Sequence, residues 1–302
     1  MKKLLIISIL AAAVFTGCPH TISTTQESKP TDKTYSIDGI NFVMKVIPSV
    51  TNGLLGDDNQ SDNKKHTVSL SVYRIGETEV TQELWKKVMN SNPSYFNADP
   101  FEGEIQRKRP VEKVTWYECI AFCNELTKKI DGLEEANCVY YSDSAFKKVY
   151  TKENAKHNIR VFQNIDKKGF RLPTEAEWEW AAKGGAETKW AGTDKPSDLK
   201  NYAWYMKNSK MITHEVRKKK PNGYGLYDMS GNVAEWTWDG YSNETPENGQ
   251  QDPMGDLFSL TRVVRGGNIM QDSTPCACAY REDDSVPASR RYLRGFRLAC
   301  RP

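Results

Sequence analysis

Two cysteines, Cys276 and Cys278, are the residues of this 302-residue chain whose type and spacing most directly suggest chemistry. They lie in residues 265–297, the C-terminal segment, which opens with the letters RGGN and closes with GFR. A zinc site needs four ligands at recognisable spacing, and no such set with histidines lies near this pair. The C-terminal segment is also rich in Asp, Ser, Arg and Tyr, which are typical of binding surfaces. It therefore permits both an enzyme and a binding interpretation.

Short capped helices are the elements that must position the C-terminal segment. Thr81 precedes the helical pattern QELWKKVMN, and two capping boxes, Thr115 with Glu118 and Thr174 with Glu177, predict further helix starts. The letters YSIDGINFVMKVIP favour a strand or a hairpin. The C-terminal segment has no clean helical or strand period, so it predicts loops and short strands between glycine-rich anchors. Together these patterns predict an α+β domain dominated by loops.

The charge balance argues against a nucleic-acid partner. Lys and Arg number 42 against 39 Asp and Glu, and the net charge of +3 is too weak a field to indicate nucleic-acid binding. The basic run at 217–220 predicts a solvated loop face. The four histidines are scattered and pair with no obvious nucleophile, which disfavours a hydrolase triad. We expect a monomer.

The N-terminal residues carry a targeting pattern. Residues 1–18 predict a bacterial lipoprotein signal peptide, with two lysines, an apolar run and Cys18 as the lipidated residue. An ordinary secretory signal peptide is the alternative. Polar residues 19–33 predict a flexible tether, and a folded domain is expected over 34–302. The protein is therefore expected to be a lipoprotein anchored to a membrane, on the outer surface or in the periplasm of a bacterium.

Six cysteines follow Cys18, and they allow fifteen complete pairings among which the sequence cannot choose. Cys119 and Cys123 lie four residues apart on one predicted helix face, and the pair in the C-terminal segment lies two apart. Neither spacing favours a disulfide within the pair. Any disulfide bond would therefore join distant parts of the chain.

Seven motifs, taken in order, resemble those of the formylglycine-generating enzyme family, also called the sulfatase-modifying factor domain. They read EVTQELW, RPVEKVTWYECIAFCNEL, GFRLPTEAEWEWAAKGG, NYAWY, PNGYGLYDMSGNVAEW, RVVRGGN and GFRL. Each motif alone is weak, but together they extend from about Tyr35 to Arg301. The resemblance implies a large, loop-rich variation on the C-type lectin fold.

The enzymes of this family are expected to hold copper between two cysteines, which would fall here four and nine residues after Gly267. Those positions are Gln271 and Cys276. A neutral amide cannot replace a soft thiolate, so copper and formylglycine generation are not expected. A formylglycine-generating or related copper-dependent oxidase remains the alternative function.

The chain also resembles a second group with this fold, the variable proteins of diversity-generating retroelements, in which the C-terminal region is rewritten at adenine-rich codons. The resemblance implies a surface-displayed lipoprotein, not an enzyme, with a variable region over about 236–297. An unidentified ligand, a protein or another cell-surface molecule, would contact residues of that region. The candidate ligand-binding residues are Trp238, Asp239, Tyr241, Asn268, Met270, Asp272, Ser273, Thr274, Cys278, Tyr280, Asp283, Asp284, Ser285 and Tyr292.

Mutagenesis of an AAC or AAT codon cannot produce Met or Gln, so Met270 and Gln271 indicate that not every loop position is a site of such rewriting. A structural or accessory surface lipoprotein is a further alternative.

Three finer expectations concern the surroundings of the C-terminal segment. The resemblance implies a calcium ion held by Ser230, Gly231, Val233 and Glu235, and the alternative is that Glu235 satisfies backbone donors in a tight turn. It also implies a disulfide bond between Cys123 and Cys300. Finally, the alternation of the tryptophans at 236 and 238 predicts that one lies in the core and the other is exposed.

Overall fold

The computed structural model describes residues 29–256, 258–282 and 285–302. The predicted signal peptide 1–18 with Cys18, most of the tether, and the candidate residues Asp283 and Asp284 lie outside the described residues. The strands β1 to β12 are, in order, Lys33–Ile37, Ile40–Ile47, Val50–Leu55, His66–Leu70, Tyr73–Gly76, Tyr140–Tyr141, Phe162–Gln163, Ala234–Gly240, Gln250–Gln251, Arg262–Arg265, Arg294–Gly295 and Ala299–Cys300. The α-helices α1 to α4 are Gln82–Met89, Trp116–Lys129, Lys152–Lys156 and Glu175–Lys183. None of the helices in the described parts of the chain has the length and apolar character needed to cross a membrane.

The sheet in the order β1-β2-β5-β12 joins the two ends of the domain. β1 and β2 form an antiparallel hairpin, and both turn residues, Asp38 and Gly39, have positive φ, which suits the right-handed twist of the strands. Of the two alternatives that the sequence left open, one strand or a hairpin, the structure shows the hairpin. β12, near the C-terminus, pairs with β5.

The folded domain begins slightly before the boundary expected at residue 34. The carbonyl of Thr31 accepts a hydrogen bond from Nε of Arg74 at 2.8 Å, and Oδ1 of Asp32 accepts one from the backbone N–H of Val46 at 2.8 Å. The last residues of the predicted tether are therefore bound to the first sheet.

The three helix starts predicted from capping residues are confirmed. Thr81 accepts a hydrogen bond from the N–H of Leu84, and both predicted capping boxes are complete. Helix α2 lies at the centre of the main core, where Phe122 stacks on Trp85 with ring centroids 5.0 Å apart and meets Phe296 edge-on. Phe296, which follows Gly295 near the end of the C-terminal segment, therefore packs directly against helix α2.

Strand β8 is the middle strand of the sheet β10-β8-β11, and all seven of its residues are buried. Both Trp236 and Trp238 therefore lie in the core, so the prediction that one of them is exposed is wrong. Trp236 donates its indole N–H to the carbonyl of Val114 at 3.1 Å, and Trp238 stacks on Tyr140 with centroids 5.3 Å apart. Alternation predicts exposure only where one face of a strand meets solvent, and β8 is covered on both faces.

The predicted disulfide bond between Cys123 and Cys300 is not formed, because the cysteines of the described residues are all free and buried. Burial raises the pKa of both thiols, that of Cys300 to about 11, so both are neutral at physiological pH. Cys300 also shares a hydrogen bond with the hydroxyl of Tyr35. Each sulfur is thus accommodated separately in the core.

Candidate ligand-binding face

The first end of the C-terminal segment is fixed by a buried arginine and a glycine pair. Arg265 donates from Nη1 to the carbonyl of Tyr280 at 2.7 Å and forms an ion pair with Glu179. Gly267 has a φ of +66°, and a Cβ there would lie 2.8 Å from the carbonyl carbon and oxygen of Pro275. Only glycine therefore allows the chain to turn this closely over its own loop.

The second end is fixed by Arg297, which is fully buried and binds both oxygens of Glu235. Its Nε and Nη2 each lie 2.7 Å from the carboxylate, and the indole N–H of Trp178 donates to the same group at 2.7 Å. Burial lowers the pKa of Arg297, but Glu235 more than reverses this, and the net pKa is raised. This bidentate pair joins the end of the C-terminal segment to β8 and α4.

Of the four residues expected to hold calcium, Glu235 has the one carboxylate, and protein donors already occupy it. Both carboxylate oxygens of Glu235 are engaged as above, and a calcium ion would have to displace the guanidinium of Arg297. The Ser230 hydroxyl donates to the carbonyl of Cys276 at 2.7 Å, and the N–H of Val233 donates to the carboxylate of Glu79 at 3.1 Å. Within the described ranges, no cluster of three or more His, Cys, Asp or Glu residues is arranged to hold a metal ion. Glu235 thus accepts from the side chains of Arg297 and Trp178, and not from backbone donors of the turn as the alternative interpretation expected.

The two cysteines of the C-terminal segment face different parts of the core. Cys276 packs in a cluster with Trp190 and Tyr205, whereas Cys278 belongs to the cluster around Trp178. Burial raises the pKa of both thiols to about 12, assisted by the charge of Asp272 at Cys276 and of Glu179 at Cys278. Oε1 of Gln271 accepts a hydrogen bond from the amide of Asn268 at 2.8 Å. The residues at the two family copper positions are therefore a neutral buried thiol and an amide bound within its own loop.

Five candidate ligand-binding residues are buried, so their side chains are not part of the surface that was expected. They are Trp238, Asp239, Asn268, Cys278 and Ser285. Two of them make local structural contacts: Oδ2 of Asp239 accepts from the N–H of Glu175 at 2.7 Å at the start of α4, and Oδ1 of Asn268 accepts from the N–H of Met270 at 3.0 Å. The sequence could not distinguish such polar contacts in the interior from polar groups that face solvent.

The remaining described candidates lie at or near the surface. Asp272, Thr274 and Tyr292 are exposed, and Tyr241, Met270, Ser273 and Tyr280 are half-buried. The hydroxyl of Tyr292 lies 3.8 Å from the sulfur of Met270, so the structure brings these two candidates together across the C-terminal segment.

Two aromatic residues that the sequence analysis missed complete this surface. The ring of Tyr292 lies 5.2 Å from that of Tyr95 and 6.1 Å from that of Phe96, between centroids. Tyr95 is 62% exposed and Tyr292 41% exposed. We call Tyr95, Phe96, Met270 and Tyr292 the aromatic face. The adjacent pair of aromatics in the polar letters SNPSYFNADP was the signal in the sequence that could have revealed it.

A buried carboxylate holds the loop that carries Tyr95 and Phe96. The two oxygens of Glu112 accept the backbone N–H groups of these residues at 3.0 and 2.9 Å. Burial raises the pKa of Glu112 to about 7, although the two N–H donors favour its ionised form. The aromatic face is therefore supported from inside by a titratable group.

Comparisons with known proteins place this chain among sulfatase-modifying factors. The family model described as "Sulfatase-modifying factor enzyme 1-like domain" matches residues 20–302. "Chaperone protein LppX" of Paenibacillus barcinonensis is 37% identical over 212 residues, which are 63% of this chain and 70% of that protein. The formylglycine-generating enzyme of Mus musculus is 35% identical over 147 residues, 43% of this chain and 39% of the enzyme. The alignment thus spans well under half of that enzyme's length.

Solved structures share the fold. The structure titled "Treponema denticola variable protein 1" is 49% identical, covers 90% of this chain and 100% of that chain, and gives a TM-score of 0.83. The structure of PvdO from Pseudomonas aeruginosa, at 19% identity and a TM-score of 0.64 over 91% of this chain and 100% of that chain, shows the likeness of fold alone. The predicted fold class, a loop-rich α+β fold of the C-type lectin type as in formylglycine-generating enzymes, is confirmed. The chain belongs to the sulfatase-modifying factor family of formylglycine-generating-enzyme-type domains.

Proposed function

We propose that this protein is a binding protein whose aromatic face contacts a ligand, and that it carries out no chemistry. The observation that carries the proposal is the contact of the exposed Tyr95 and Tyr292 with the half-buried Phe96 and Met270. Met270 and Tyr292 lie on the C-terminal segment, whose two ends are fixed by buried arginines. Exposed aromatic and methionine side chains supply much of the affinity of protein interfaces. The likeness to a structure titled as a variable protein supports the same interpretation.

The ligand in this proposal is a protein or another cell-surface molecule. It would meet the aromatic face and the exposed loop residues Asp272 and Thr274, which follow Met270 along the chain. The protein is proposed to act as a monomer, held to a bacterial membrane by lipid on Cys18, on the outer surface or in the periplasm. The lipid anchor rests on the sequence pattern of residues 1–18.

Diversification of the exposed loop positions by a retroelement is part of the proposal. Side chains at the surface can change at little cost to stability, whereas the buried ends of the C-terminal segment cannot. This division within one segment is what a diversified binding protein requires.

A displayed library tests the aromatic face as a surface for variation. Asp272, Thr274 and Tyr292 are randomised together in the full chain, and the library is selected on hen egg-white lysozyme. We expect most members to fold and the selection to yield binders whose affinity falls at least tenfold when Tyr95 is replaced by alanine. A matched library with Glu153, Lys156 and His157 of α3 randomised, all of them exposed, should not yield binders that depend on Tyr95. Loss of folding in most members of the first library would contradict the proposal.

A copper-dependent oxidase is the second candidate, because curated formylglycine-generating enzymes are among the relatives and Cys276 stands at a family copper position. Against it, the other position is held by Gln271. Titration of the reduced protein with Cu(I), combined with an assay of cysteine-peptide oxidation, distinguishes the two functions. Stoichiometric tight binding with turnover would establish the oxidase and overturn the binding proposal.

A further inference from the structure

A cavity of about 300 Å³ lies between the start of α2, the segment 158–163 and the strands β8 and β10. Its wall is unusually aromatic, with rings from Trp116, Tyr117, Phe146, Phe162 and Trp238. The floor is formed by the almost fully buried tryptophans, whereas Phe146 is 41% exposed and forms part of the rim. The cavity shares no residue with the aromatic face, so it is a separate site.

Polar groups in this cavity have unused hydrogen-bonding capacity. Nε and Nη1 of Arg262, both polar atoms of the Gln163 amide, and the indole N–H of Trp238 are shielded from solvent and have no hydrogen-bond partner among the described residues. An unpaired buried polar group costs free energy, and such groups in a native protein indicate a partner that completes them. Their concentration in one cavity indicates a bound ligand that offers hydrogen-bond acceptors.

The charge of the cavity selects an anion. The guanidinium of Arg262 lies 4.5 Å from the ring centre of Trp116, and that of Arg160 lies 5.2 Å from the ring centre of Phe162. Burial lowers the pKa of Arg262, and the neighbouring Tyr117, Asp239 and Asp256 oppose this effect; a guanidinium stays charged at neutral pH.

Asp239 is a fully buried acidic neighbour of Arg262. Its carboxyl group does not cancel the positive charge of the Arg262 guanidinium at neutral pH. Burial and the nearby charge of Glu175 raise the pKa of Asp239 to about 8, so it is mostly protonated at pH 7. Asp256, the other acidic neighbour of Arg262, is exposed, so solvent screens its charge. Two arginines and a largely neutral Asp239 therefore leave a site that favours a carboxylate.

We propose that this cavity binds a small aromatic carboxylic acid, with the carboxylate on Arg262 and the ring against the aromatic wall. A charged guanidinium with N–H groups that lack a protein partner suits a carboxylate as its hydrogen-bond acceptor. A volume of about 300 Å³ is at the lower end for small-molecule pockets, and it suits a ligand of one or two rings rather than a polymer.

Calorimetric titration of the full chain with indole-3-acetate tests the proposal. We expect saturable binding with a Kd below about 1 mM, as for a well-placed ligand of this size. Indole-3-ethanol, which has the ring without the carboxylate, and acetate, which has the carboxylate without the ring, should each bind at least tenfold more weakly. These two comparisons use the unaltered protein, so they do not depend on whether a variant folds.

The variant Arg262→Gln should lower the affinity for indole-3-acetate at least tenfold, with circular dichroism unchanged. Arg290→Gln is the matched control, because Arg290 is exposed and lies outside the cavity, and it should leave the affinity unchanged. Equal binding of indole-3-acetate and indole-3-ethanol, absence of saturable binding, or full affinity in Arg262→Gln would each overturn the proposal. None of these results bears on the aromatic face, which the displayed library tests separately.

Discussion

The two ends of the C-terminal segment and the loops between them differ in burial and therefore in how well they tolerate substitution. At the ends, Arg265 and Arg297 are buried and bind carboxylates, and the glycine pair turns with positive φ. Between them, Asp272, Thr274 and Tyr292 are exposed. The difference shows how one short stretch can combine fixed attachment with side chains that are free to change, because the cost of substitution depends on burial rather than on position in the sequence.

The largest expected effect is at the second end. Arg297→Met keeps similar volume but leaves the buried carboxylate of Glu235 without its cation, so we expect the free energy of unfolding to fall by about 3 to 5 kcal/mol. Urea denaturation followed by tryptophan fluorescence measures the change. Arg290→Met is the control, since the pair of Arg290 with Glu118 is largely exposed and its loss should cost at most about 1 kcal/mol. Equal losses in the two variants would remove the distinction between fixed ends and free loops.

Next in size is the glycine turn at the first end. Gly267→Ala places a Cβ 2.8 Å from the backbone of Pro275 in a left-handed conformation, and we expect a loss of about 2 to 4 kcal/mol. Gly249→Ala is a matched control, because Gly249 also has positive φ, at +77°, but a Cβ there meets nothing within 4 Å. Gly249→Ala should lower the free energy of unfolding by about 1 kcal/mol, which is the cost of placing alanine in a left-handed conformation. The same denaturation experiment compares them, and a similar loss in both would show that the close approach to Pro275 is unimportant.

An intermediate effect concerns Glu112, beneath the aromatic face. Its pKa is about 7 when folded and 4.5 in the ordinary case, so the folded protein holds the proton more tightly. The contribution to stability is complete below pH 4.5 and is lost as the pH rises through 7, by roughly 3 kcal/mol at most. We therefore expect the unfolding free energy of the natural chain to fall across this window relative to that of Glu112→Gln.

The control for this pH effect is Glu102→Gln, since Glu102 is exposed and its replacement should leave the pH profile of stability unchanged. Denaturation in urea at half-unit steps from pH 4 to pH 8 measures all three profiles. Parallel profiles for the natural chain and Glu112→Gln would show that this carboxylate does not link pH to the loop of Tyr95 and Phe96.

The smallest effects are expected in the loops. Thr274→Ala and Tyr292→Ala should each change the free energy of unfolding by less than about 1 kcal/mol, because neither side chain is buried. Thermal denaturation measures the change. A loss comparable with that of Gly267→Ala would mean that the loops carry structure and are not free to vary.

Local signals in the sequence predicted local structure well. Thr81, Thr115 and Thr174 cap helices because their partners lie three residues away, and the turn at Asp38 and Gly39 is likewise set by its own residues. The overall fold could be predicted only through the resemblance of many motifs to a known family.

Contacts between residues that are distant in the chain could not be predicted from the sequence. Trp238 is buried because β8 is covered on both faces, and Glu235 binds Arg297, 62 residues away. Tyr95 joins Tyr292 and Arg262 meets Trp116 through folding alone. Polar and aromatic side chains occur on surfaces and in interiors alike, so neither the buried candidates nor the two ligand sites could be read from residue type.

Sequencing of the gene's 3′ end in many cells of one population, together with its flanking DNA, tests the central claim most directly. The proposal predicts a neighbouring reverse transcriptase, a near-copy template repeat, and substitutions at adenine-rich codons of exposed positions such as Asp272, Thr274 and Tyr292, with none at Arg265, Gly267 or Arg297. A single invariant sequence with neither a reverse transcriptase nor a template repeat beside it would contradict diversification of this surface.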